Sequence, residues 1–134
     1  MDLPSTGYTK KNLDEVADFA PRLGVSETQE VRFASAAVDA EQVGFTLHRV
    51  TPGGRQAIGH KHDDPKAEEV YVVIGGAGRI KLDDDTLEIQ RLDAIRVEPQ
   101  VIRSFEAGPD GLEFLAFGPH FDGDGEVFPG WWSD

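Results

Sequence analysis

Short runs of alternating apolar and polar residues dominate the chain from Val31 onward. In several runs the apolar residues recur at every second position, as Leu87 and Ile89 do. This period is typical of a β-strand with one buried face. The runs that predict strands span residues 30–38, 43–51, 56–62, 68–74, 77–82, 86–91, 94–98, 101–107 and 112–118. Short strands at this close spacing predict an all-β sandwich or barrel.

A helical pattern precedes the strands. Asn12 followed by Glu15 has the form of a helix capping box, and Leu13 and Val16 begin a series of apolar residues at helical spacing. We therefore expect a short N-terminal helix that ends at Pro21.

Turn-forming residues separate the predicted strands. Clusters of Gly, Pro and Asp predict turns at 52–54, 75–78, 83–85 and 108–111. No segment has the composition of a linker between domains. The expected organisation is an N-terminal arm at 1–30, a barrel at 31–120 and an aromatic tail at 121–134 that packs on the barrel or on a partner chain.

Composition narrows the chemistry that is available. The chain has 134 residues and no cysteine, which excludes disulfides, thiolate catalysis and cysteine-held metals. Its formal net charge of −12 repels phosphate backbones, so we expect no nucleic-acid partner. The first 20 residues lack a continuous apolar stretch and no long apolar run follows, so we expect a cytoplasmic protein without membrane insertion.

Two histidines, His60 and His62, stand at alternate positions of one predicted strand. Side chains at such positions project from the same face, so both imidazoles can bind one ligand. A carboxylate from the neighbouring strand, at Glu69, would complete a ligand set suited to Fe(II), Mn(II), Ni(II) or Zn(II) with open coordination positions. A His-x-His pair alone is more often an ordinary strand with polar residues.

The wider pattern comprises Gly54, His60, His62, Glu69 and Gly76. It resembles the first motif of the cupin superfamily, G(X)5HXH(X)3-4E(X)6G. The gap between His62 and Glu69 is longer by two residues, which makes Glu68 a rival for the carboxylate role, although the spacing to Gly76 favours Glu69. The resemblance implies a double-stranded β-helix, a cupin-like jelly-roll barrel with a site in its mouth, and it makes a homodimer plausible.

The second cupin motif, G(X)5PXG(X)2H(X)3N, supplies a fourth metal ligand in that superfamily. Aligning 92–99 with the motif places Arg103 where the histidine stands. Arginine stays protonated and has no lone pair for a metal, so a centre with four protein ligands is excluded. A metal held by three residues stays open.

Arg103 has two alternative interpretations. It either pairs with Glu69 across the barrel and disarms the metal site, or it binds an anionic substrate above a metal held by the other three residues. Strand parity also directs Tyr71 and Phe105 inward, where they either line a substrate pocket with Arg103 or fill the core. His48 and Arg49 lie on opposite faces of their strand, and each is expected at the surface.

Two functions follow from these alternatives. The first is a small-molecule cupin, a metal-dependent enzyme of oxygenase, isomerase or decarboxylase type that acts on a small anionic substrate. The second is a metal-free, non-catalytic ligand-binding module in which Glu69 pairs with Arg103. The acidic residues at 122–126 lack the spacing of a calcium loop and are expected to form a solvated turn, and His120 has no visible partner.

Overall fold

The computed structural model describes residues 7–119 and 125–133. Eight strands lie in these ranges: β1 (Gln29–Phe33), β2 (Gly44–Val50), β3 (Gly59–Lys61), β4 (Glu69–Leu82), β5 (Asp85–Gln90), β6 (Ala94–Val97), β7 (Arg103–Gly118) and β8 (Glu126–Phe128). The helices are a 3₁₀ turn (Leu13–Glu15), α1 (Ala20–Leu23) and α2 (Ala34–Ala37). No helix in the described ranges is long and apolar enough to span a membrane.

The two long strands β4 and β7 form the centre of one curled antiparallel sheet. They pair with each other along most of their length. Neighbouring strands follow the order β1–β2–β7–β3–β8, and β5 and β6 pair with β4. Inward side chains fill the space that the sheet encloses; the buried ones include Tyr71, Val73, Ile80, Phe105 and Phe114. The predicted all-β barrel is confirmed.

The glycine-rich segments 75–78 and 108–111 are not the turns that the sequence predicts. Each lies inside a continuous strand, and the pairing shifts register between Val73 and Gly75 and again between Gly76 and Gly78. Gly76 has φ +70°, and a Cβ there would lie 2.0 Å from the carbonyl oxygen of Gly111. The glycines therefore allow a bulge and a close approach of two bent strands. The predicted turns at 52–54 and 83–85 are confirmed.

The strand predicted at 30–38 is wrong in its second half. β1 ends at Phe33, and the next four residues form the α2 turn, since alanine favours helix and the segment lacks apolar alternation. The hydroxyl of Ser35 accepts a hydrogen bond from the backbone N–H of Phe45 (2.5 Å) and donates to the carbonyl of Val43 (3.0 Å). These bonds hold α2 against the start of β2.

The N-terminal helix also differs from the prediction. Asn12 accepts a hydrogen bond from the backbone N–H of Asp14, but it caps a 3₁₀ turn of three residues. Pro21 lies in the first turn of α1 instead of ending a helix, because the missing N–H of proline costs nothing at that position. The Asp18 carboxylate accepts hydrogen bonds from the backbone N–H groups of Ala20 and Val31, which fixes the arm to β1.

The tail lies against the barrel. β8 pairs with β3, and Trp132 is 4% exposed. The guanidinium of Arg55 lies 4.7 Å from the Trp132 ring centroid, and the ammonium of Lys81 lies 4.5 Å from that of Trp131. His120 and the first part of the predicted acidic turn lie outside the described residues.

Candidate functional site

The strand β3 carries His60, and His62 follows directly after its last residue. The strand pairs with β7 through His60 and Arg103 and with β8 on its other edge. The two imidazole rings face each other edge to face, with their centroids 5.3 Å apart. Both side chains keep some exposure, 38% for His60 and 20% for His62.

Glu69 begins β4 and extends its carboxylate toward both histidines. Its Oε1 lies 3.1 Å from Nε2 of His62 and 3.7 Å from Nε2 of His60. One ligand atom from each of the three residues lies within 4.8 Å of the others. Glu68 instead turns to the surface, where its carboxylate lies 3.4 Å from the guanidinium of Arg96. The structure thus brings Glu69, which the sequence spacing favours, to the two histidines, and not its rival Glu68.

The Glu69 carboxylate is stabilised in its charged form. Burial raises the pKa of this group, but the neighbouring His60 and His62 and the hydrogen bond from Tyr71 outweigh burial and hold the pKa far below its usual range. The Tyr71 hydroxyl donates to Oε1 over 2.5 Å. Burial, and then the nearby Glu69 charge, raise the pKa of Tyr71 well above its usual value. Tyr71 is therefore a neutral donor that orients the carboxylate.

Arg103 lies next to Glu69 and has no exposed surface. Its Nη1 lies 3.6 Å from Oε1 of Glu69, and its Nη2 donates a hydrogen bond to the carbonyl of Glu98 over 2.7 Å. Neither Nε nor Nη1 has a hydrogen-bond partner among the described residues. The guanidinium is a permanent positive charge next to the carboxylate and is closed off from solvent.

Two imidazoles and one carboxylate make a donor set that fits a divalent transition metal with open positions. The buried guanidinium opposes this fit, because it competes for the same carboxylate oxygen and repels a cation. The donors fit the metal, and Arg103 lowers the affinity that they would otherwise provide.

Tyr71 and Phe105, expected to line a pocket or fill the core, lie in the core. Tyr71 is 2% exposed and Phe105 1%. Their rings contact each other with centroids 5.0 Å apart, and Phe105 stacks on Phe114 at 3.9 Å. This packing favours the core role for both rings.

His48 is the site residue that sequence reasoning missed. Its ring stacks on Phe114 with centroids 4.9 Å apart, and its Nδ1 is buried without a hydrogen-bond partner among the described residues. Burial, and then the nearby His60, lower the pKa of His48 to about 4, while Glu69 opposes the change. Strand parity is the sequence signal that bears on His48, because it places His48 and Arg49 on opposite faces. In the structure Arg49 pairs with Glu113 on the outer face, so His48 faces inward.

An open cleft of about 810 Å³ reaches two of the three donor residues, His62 and Glu69. Its walls come from the N-terminal arm, α2, β2 and the end of β7. The lining residues are Val16, Phe19, Phe33, Ser35, Ala36, Ala37, Gly44, Phe45, Thr46, His62, Glu69, Ala116, Gly118 and Pro119. The candidate metal site therefore lies where a small molecule can reach it.

Solved structures with the same architecture are cupin proteins. The polyketide cyclase RemF of Streptomyces resistomycificus superimposes with a TM-score of 0.71 at 20% identity, over 93% of this chain and 87% of that one. A sugar phosphate isomerase of the cupin superfamily from Silicibacter pomeroyi gives 0.69 at 16% identity, over 89% and 81%. A cupin protein of Bacteroides fragilis gives 0.66 at 19% identity, over 88% of each chain.

Further cupin structures share the fold with longer chains. Oxalate decarboxylase of Bacillus subtilis gives a TM-score of 0.69 at 18% identity, over 88% of this chain and 31% of its own. No protein-family model and no curated protein matches the sequence. The likeness, at these identities, establishes that the chain has the cupin fold.

Proposed function

We propose that this cupin-fold chain is a small-molecule enzyme that holds a divalent transition metal through His60, His62 and Glu69. The observation that carries the proposal is that donor atoms of three residues lie within 4.8 Å of one another, and that two of these residues, His62 and Glu69, line an open cleft. Iron, manganese, nickel and zinc all accept such ligands. The metal, when bound, would supply a Lewis acid or an oxygen-binding position.

The residues around the donors have separate tasks in this proposal. His60 and His62 supply neutral imidazole nitrogens from one strand face, and Glu69 supplies negative charge. The Tyr71 hydroxyl fixes the carboxylate by hydrogen bonding to Oε1. Arg103 neutralises part of the carboxylate charge.

The reaction class stays open among oxygenation, isomerisation and decarboxylation. Structures of this fold include a salicylate 1,2-dioxygenase, a sugar phosphate isomerase and an oxalate decarboxylase, so the fold does not select one. An anionic substrate would bind through the metal and not through Arg103, because Arg103 has no exposed surface.

A metal-free binding module is the second candidate. The observation in its favour is the Arg103 guanidinium, fully buried and 3.6 Å from the Glu69 carboxylate oxygen. In this alternative the pair neutralises itself and the cleft binds a ligand without turning it over.

Thermal unfolding with and without metal separates the two candidates. Fe(II), Mn(II), Ni(II) and Zn(II) are added in turn to chelator-treated wild type, Glu69→Gln and the matched control Glu68→Gln. Free metal at 100 times its Kd would stabilise the folded state by about 2.7 kcal/mol. We expect at least one metal to raise the Tm of the wild type and of Glu68→Gln but not of Glu69→Gln. No metal-dependent change in any protein would contradict the metal centre and favour the binding module.

A further inference from the structure

The walls of the cleft above the candidate metal site are largely apolar and aromatic. Phe19 and Phe33 meet edge to face with centroids 5.0 Å apart, and Phe45 forms part of the same lining. Phe33 is 44% exposed although it lies at the end of a paired strand. Three phenyl rings in one concave surface form a site suited to apolar ligands.

Among the described residues that line the cleft there is no Lys or Arg. The titratable residues of this lining are His62 and Glu69, both assigned to the metal. Ser35, which belongs to α2, is already bonded to the backbone of Val43 and Phe45, and Thr46 is the other hydroxyl residue of the lining. A phosphate or a flexible polyanion would meet no Lys or Arg along these walls, and leaving its charge unpaired in an apolar cleft is costly.

The phenyl rings and the donors of the cleft come from different elements. The rings come from the N-terminal arm, β1 and β2, whereas the donor His62 directly follows β3 and Glu69 begins β4. The cleft volume of about 810 Å³ lies within the usual range for small-molecule sites. A ligand that fits has an apolar body and one polar edge.

From this geometry we infer that the cleft binds a flat aromatic molecule with its ring against the phenyl groups and a hydroxyl or carbonyl edge toward the donors. The inference rests on the proposed function, since the polar edge meets the metal site. The N-terminal arm and α2 are thereby part of the binding site, and the face of Phe33 is covered by the ligand. Because no Lys or Arg lines the cleft, we expect it not to bind sugar phosphates.

The test is calorimetric titration of the full chain with three probes: 2-naphthol, its saturated analogue decahydro-2-naphthol and glucose 6-phosphate. Each titration is run with chelator and with added metal. We expect saturable binding of 2-naphthol, about 2- to 10-fold tighter than that of the saturated analogue because ring contacts favour aromatics. We expect no binding of glucose 6-phosphate.

Variants locate the binding. Phe33→Ser should weaken 2-naphthol binding at least fivefold, whereas Leu87→Ser, at a similarly exposed strand position (48%) outside the cleft, should leave it unchanged. Ala36→Arg, at an exposed residue of α2, provides a second blocking variant. Circular dichroism verifies that each variant is folded.

The outcomes distinguish a failure of the inferred aromatic cleft from a failure of the proposed metal site. Binding of 2-naphthol that persists with chelator, in a protein that takes up no metal, supports the aromatic cleft and contradicts the proposed function. Metal uptake without saturable 2-naphthol binding overturns the aromatic cleft and leaves the proposed function standing. Equal binding of the two naphthol probes, or equal loss in Phe33→Ser and Leu87→Ser, overturns the inference.

Discussion

The guanidinium of Arg103 lies 3.6 Å from the carboxylate of Glu69 and has no exposed surface. A metal bound by Glu69 would therefore share its carboxylate with a fixed positive charge. The Tyr71 hydroxyl donates to the same oxygen. Glu69 is thus the point at which metal binding and internal charge pairing compete.

Replacement of Arg103 tests this competition. Removing a charge so close to the carboxylate should raise the affinity for divalent metal, so Arg103→His is expected to lower the Kd by roughly tenfold or more. Arg103→Lys retains the charge and is the matched control, with a Kd near that of the wild type. Metal titration by calorimetry measures both, and an unchanged Kd in Arg103→His would exclude the competition.

The Tyr71 hydroxyl can be tested without removing its ring from the core. Tyr71→Phe removes a hydrogen bond to a charged group, which is worth roughly 1.5–3 kcal/mol. Without this bond the pKa of Glu69 should rise toward its usual value, so protons should compete with metal at a higher pH than in the wild type. Metal titrations over a series of pH values measure the shift. A change in Tm alone, with the same pH profile, would assign Tyr71 a purely structural role.

Sequence reasoning predicted the donor set but not its surroundings. His60, His62 and Glu69 could be found because strand parity and motif spacing depend only on neighbouring positions. That β4 and β7 are continuous strands could not be predicted, because the glycines at 75–78 have the composition of a turn. Only the close approach of Gly111 shows that they form a bulge.

The cleft walls were also beyond the reach of the sequence. Phe19 and Phe33 lie in what the pattern predicts as an arm and a continuous strand, and their contact depends on the α2 turn and on the Asp18 bonds. The inward position of His48 depends on which face of β2 is turned toward the inside of the barrel. Both are consequences of tertiary packing, which local periodicity does not encode.

The bulge in β4 gives a prediction on stability. In Gly76→Ala the new methyl group would lie 2.0 Å from the Gly111 carbonyl oxygen, and the backbone has φ +70°. We expect a loss of roughly 3 kcal/mol or more in the free energy of unfolding. Gly53→Ala has a similar φ of +67° and nothing within 4 Å, so it should lose only about 1 kcal/mol. Urea unfolding compares the two, and equal losses would show that backbone conformation alone matters.

His48 gives a prediction on pH dependence. Its pKa of about 4 in the folded state lies below the ordinary histidine value of 6.5, so the unfolded state binds more protons between those values. Stability from neutral His48 is therefore complete above about pH 6.5 and decreases as the pH falls toward about 4. The decrease is roughly 3 kcal/mol at most. Urea unfolding with chelator should show a shallower acid decrease in His48→Gln, and parallel curves would contradict the assignment.

The most direct test of the central claim is elemental analysis of the protein purified without a metal-affinity tag. It is compared with the double variant His60→Ala, His62→Ala after the same reconstitution and removal of free metal, with circular dichroism to verify folding. The account predicts about one Fe, Mn, Ni or Zn per wild-type chain and none in the folded double variant. Metal-free wild type after reconstitution, or equal metal in both proteins, would contradict it.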